Sequence, residues 1–122
     1  MKGRPPTRAI SEAVRLAKLR GLVHKCVNDP ERLYDITIVG AKPIAFIRVL
    51  YAPKILAALS QLLTDFREEI RLLRLISLDA TVSVELWLRS KHGTWRLFRI
   101  TGDTICEIDR DGKLRGEGTA PV

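Results

Sequence analysis

Two β-rich runs, Leu33–Val39 and Ile44–Tyr51, flank a four-residue link, Gly40-Ala41-Lys42-Pro43, and together they constrain this fold more than any other stretch. Gly and Pro between two such runs are hairpin punctuation. Side chains alternate across a strand, so Phe46, Arg48 and Leu50 share one face and Ala45, Ile47 and Val49 the other. Asp35, Thr37 and Val39 share a face of the first run, opposite Ile36 and Ile38. Apart from Asp35 and Arg48, both runs are apolar on each face. Strands of this kind are expected in the middle of a sheet covered on both sides.

The rest of the chain predicts the elements around that hairpin. Thr7 is expected to cap a helix reaching about Arg20, with Gly21 ending it. Ile10, Ala13, Val14 and Ala17 form its apolar stripe, Leu16 and Leu19 widen it, and Arg8, Ser11, Arg15 and Lys18 take the opposite face. Glu12, in line with Leu16 and Leu19, falls at the rim of the buried side. Leu22–Val27 reads as a short strand and residues 28–31 as a turn. After Ala52-Pro53 a helical region runs to about Ile76 on the period of Ile55, Leu59, Leu62, Phe66, Ile70 and Leu73. Asp65-x-x-Glu68 makes a capping box, which leaves one helix or two open. Val82–Arg89, Thr94–Thr101 and Thr104–Ile108 alternate as strands.

The chain is therefore expected to be one domain over residues 1–112, with 1–6 a flexible basic arm and 113–122 a loose tail. Its order is helix, three strands, helix, two or three strands, an α/β arrangement in which helices pack on a central mixed sheet. With 122 residues and 46% hydrophobic content there is enough material for a core. No apolar run reaches the roughly 20 residues that cross a bilayer, so a cytoplasmic protein without a membrane partner is expected. Cys26 and Cys106 are expected as reduced thiols. A lone pair of cysteines with His24 and His92 matches no paired-ligand zinc spacing. The 21 basic against 14 acidic residues leave +7, a balance that draws a small domain to DNA or RNA or serves as solubility charge.

That order resembles the core of the restriction-endonuclease-like (PD-(D/E)XK) superfamily, which includes the archaeal Holliday-junction resolvases, and the segment 85–100 resembles the last hairpin of small archaeal proteins with this fold. The resemblance implies an order αβββαββ. It also implies a site where a first-helix Glu, a second-strand Asp and a third-strand Glu-x-Lys pair gather Mg²⁺ or Mn²⁺ at the sheet edge. Glu12 falls at the helix acid and Asp35 at the strand acid, the relics of a catalytic pair. The third strand reads Ala45-Phe46-Ile47-Arg48-Val49-Leu50, so Arg48 stands where the metal-binding Glu belongs and Leu50 where the Lys belongs. A cation at a ligand position repels a metal and pairs with Asp35 instead, and leucine has no proton to donate. The resemblance therefore implies a nuclease-like protein without catalysis, a nucleic-acid-binding or assembly subunit holding no cofactor and no metal. Asp35 is the metal-site candidate if there is one.

Nucleic-acid contact is then expected from Arg67, Arg71 and Arg74, one stripe on the second helical region, and from Arg89, Lys91, Trp95, Arg96 and Arg99 on the last hairpin. Two alternatives stand beside this reading. One is an active metal-dependent endonuclease or resolvase with a relocated site, to which Glu85 or Glu69 would supply the missing acid. The other is a structural homodimer joined through the second helical region and the hairpin.

Overall fold

A computed structural model describes residues 7–25, 33–39, 44–76, 82–102 and 104–121, with backbone alone for 116–121. The elements in chain order are α1 (Thr7–Lys18), β1 (Val23–Lys25), β2 (Ile36–Ile38), β3 (Ile44–Tyr51), α2 (Leu59–Asp65), α3 (Arg67–Leu73), β4 (Val82–Arg89), β5 (Trp95–Ile100), β6 (Thr104–Ile108) and β7 (Leu114–Pro121). The seven strands form one sheet in sequence order. Every neighbouring pair is antiparallel except β3 and β4, which run parallel from Ile44↔Val82 to Tyr51↔Arg89. A parallel pair needs a crossover, and α2 and α3 supply it. The result is the mixed α+β class that the sequence predicts.

The strand period sorts the core into two layers. Ala9, Ala13 and Ala17 of α1 pack with Ile36, Ile38, Ala45, Ile47, Val49, Trp87 and Leu97 on one face. Leu62, Phe66, Ile70 and Leu73 of α2 and α3 pack with Leu50, Leu86, Leu88, Phe98 and Ile105 on the other. The buried stripe of α1 is made of alanines, whose small side chains let the helix backbone lie close to the sheet. Ile10, Val14 and Leu16 flank it, half-buried, whereas Leu19 is 75% exposed, because α1 ends at Lys18 and the chain turns away. Leu19 therefore does not widen the stripe.

Four other expectations are corrected. Covering of β2 and β3 is complete only on the α1 side: Thr37, Phe46 and Arg48 are half-buried and Val39 and Ile44 exposed on the opposite face. Residues 53–58 turn rather than open a helix, and the helical region divides at Phe66, whose φ of −113° breaks the helical run. The break is where Asp65 suggests it, but without the capping box: α3 has no side-chain cap, and the Asp65 carboxylate accepts from Gln61 Nε2 at 2.8 Å. Finally, the loose tail is largely a strand, since Leu114–Pro121 pairs with β6. Backbone ladder bonds form there without the apolar side chains on which the composition argument rests. Cys26, the turn at 28–31, the link at 40–43 and the link at 77–81 lie outside the described residues.

Candidate functional site

The two acids of the expected catalytic pair stand on opposite faces of the sheet. Glu12, on α1, accepts two hydrogen bonds from Arg89, Nε to Oε1 at 3.0 Å and Nη2 to Oε2 at 2.9 Å, and a third from Trp95 Nε1 at 3.2 Å. The Arg89 guanidinium, and after it the Trp95 indole, hold the Glu12 carboxyl below its ordinary value of 4.5. Arg89 shares a strand face with Trp87, which belongs to the α1-side core.

Asp35 precedes β2 and is buried. Its Oδ2 accepts from the Val49 backbone N–H at 2.7 Å, and Arg48 Nη1 lies 3.5 Å from its Oδ1. Arg48 shares a face with Leu50, which packs into the α2/α3-side core. Asp35 sits just before the Ile36↔Ile47 pair, and its N–H donates to the Ile47 carbonyl at 2.8 Å, which brings its carboxylate beside Arg48. So Glu12 and Asp35 each engage a guanidinium, and the sheet lies between them.

A second polar centre lies on the α1 side, around Glu85. This residue is fully buried on β4. Its Oε1 accepts from Arg20 Nη1 at 2.8 Å and Trp87 Nε1 at 3.0 Å, and its Oε2 from Arg20 Nη2 at 2.9 Å and Ser83 Oγ at 2.7 Å. Arg99 Nε donates to Ser83 Oγ at 2.9 Å and Arg99 Nη2 to the Gly112 carbonyl at 2.6 Å, tying the β6–β7 turn into the same chain. Both carboxylate oxygens are matched by donors, as a buried charge requires. Glu85 thus stands beside Arg20, away from Asp35. The signal was present in the sequence as an acid between Val84 and Leu86 of a central strand. Arg20, its partner from the turn after α1, gave no local sign.

The arginines of the last hairpin point into the protein. Arg89 is held by Glu12. Arg96 donates to Glu107 at 2.8 Å and to the carbonyls of Ile55 and Ala57 at 3.0 and 2.8 Å, and its guanidinium lies 5.3 Å from the Phe98 ring centre. Trp95 is half-buried, edge-on to Trp87 at 6.2 Å. Lys91 is exposed in the hairpin turn. On α3, Arg67 and Arg71 are exposed, Arg71 donating to Glu68 at 3.0 Å, while Arg74 is half-buried.

Among the described residues, one row of exposed cations lies on α1. Arg8, Arg15 and Lys18 are exposed with Ser11 along its outer face, about 15 Å from first to last at the helical rise. The one acid of α1, Glu12, is turned to Arg89, so this face carries positive charge alone. Such a surface attracts anions by charge and offers no aromatic ring for stacking. Comparison with protein-family models, with curated proteins and with solved structures gives no match for this chain.

Proposed function

We propose that this chain is a cytoplasmic, non-catalytic, nuclease-like protein that binds nucleic acid through its phosphates. The observation that carries the reading is the partition of charge. Glu12, Asp35, Glu85 and Glu107 face arginines in or near the core, and the excess cations are left outside, with Arg8, Arg15 and Lys18 on one helix face. The non-catalytic half of the reading is supported by Arg48, a cation 3.5 Å from the acid that the resemblance assigns to a metal. A restriction-endonuclease-like core is supported by the way α1 precedes three antiparallel strands, and by the helical crossover to a parallel β4.

The test is a mobility-shift titration at low salt with duplex, branched and single-stranded DNA and RNA, with and without Mg²⁺ or Mn²⁺. Retardation without cleavage is expected. No retardation of any of them overturns nucleic-acid binding. Metal-dependent cleavage that vanishes in Asp35→Ala overturns the loss of catalysis.

A further inference from the structure

We propose that the free edge of β1 takes up an extended segment of a partner protein in which apolar and acidic residues alternate. This surface lies beyond the phosphate-binding face of α1. β1 stands at the end of the sheet, and among the described residues only β2 pairs with it, so no described strand takes its outer backbone groups. Side chains on the two faces of that edge differ in kind.

On the face away from α1, an apolar row runs inward from the edge. Val23↔Ile38 and Ile38↔Ala45 bring Leu22, Val39 and Ile44 side by side one step further along their strands. Val39 N–H donates to the Leu22 carbonyl at 2.7 Å, which fixes the first step of the row. These three residues are 64%, 43% and 38% exposed, and among the described residues no strand continues the row past the edge. On the α1 face, Val23 packs into the core and Lys25 points to water. Lys18 of α1 is exposed as well, and neither β1 nor the outer face of α1 carries an acid.

An added strand would therefore extend the apolar row with one set of alternate side chains and meet Lys25 with the other. Opposite charges across a strand pair stabilise it and like charges oppose it. A second copy of this chain would bring two cationic edges and +7 against +7 together, so the occupant that fits is acidic.

The test is an NMR titration of the full chain with a short peptide alternating Leu and Glu. Controls are a Leu/Lys peptide and a Leu/Glu peptide interrupted by proline, which cannot complete a ladder. Shifts at the amides of Val23 and Lys25 and the methyls of Leu22 and Val39 are expected, with the Leu/Lys peptide about tenfold weaker. The exposed substitution Lys25→Glu is expected to reverse the preference between the two. Equal affinity for both charge types, undiminished binding of the proline peptide, shifts confined to another surface, no binding at all, or self-association through β1 would each overturn the proposal.

Discussion

Arg48 Nη1 lies 3.5 Å from the Asp35 carboxylate, so the cation of β3 is paired with the acid that precedes β2. Both groups are largely withdrawn from water, so each makes the other's burial tolerable. Replacing Arg48 by Met should leave a buried carboxylate short of its cation and destabilise the fold by about 3 kcal/mol. The double variant with Asp35→Asn should recover much of that loss. Urea unfolding of the single and double variants measures it, and additive losses would show that the pair is not coupled.

The Arg20–Glu85 pair makes a stronger demand, because Glu85 has no exposure to water. Arg20→Met removes two of the four hydrogen bonds to that carboxylate. A loss of about 3–5 kcal/mol is expected in chemical unfolding. A change below 1 kcal/mol would mean that Ser83 and Trp87 suffice to hold the charge.

Acid should weaken the tie between α1 and the last hairpin. The Glu12 carboxyl is held below 4.5, first by its bonds from Arg89 and then by Trp95. A carboxyl with a lowered folded-state pKa contributes stability above its unfolded value and loses it as pH falls through the folded one. Thermal unfolding should therefore be flat near neutrality and decline below about pH 4.5. Arg89→Met should make the decline shallower. An unchanged acid profile in that variant would remove Glu12 from the explanation.

Gly112 and Gly102 form a natural contrast. Gly112 has φ +86°, and a Cβ there would lie 3.0 Å from Arg20 Cζ, whereas a Cβ on Gly102 meets nothing within 4 Å. Gly112→Ala should cost about 1–3 kcal/mol, through backbone strain and displacement of the guanidinium that serves Glu85. Gly102→Ala should change stability little. Equal melting temperatures for the two variants would contradict this.

The strands were legible where alternation was strong. Val82–Arg89 has the predicted limits, and Asp35 and Arg48 come together because register follows from a hairpin. Longer-range pairing was not legible. Nothing local ties Arg20 to Glu85, 65 residues away, or Glu12 to Arg89, 77 away, so the hairpin arginines read as a binding surface when they are internal partners. The periodicity of α1 points to Ala13 and Ala17 but not to Ala9, and β7 leaves no sign in the sequence because its pairing is backbone chemistry.

The outer face of α1 is the proposed grip on phosphates. The direct measurement is the salt dependence of binding to a short DNA duplex, for the parent chain and for the variant carrying Arg8→Ala, Arg15→Ala and Lys18→Ala. Loss of three phosphate contacts should make the slope of log K against log salt shallower by about 2.7 and weaken binding at low salt, without altering the fold. An unchanged slope and affinity in the triple variant would contradict the claim.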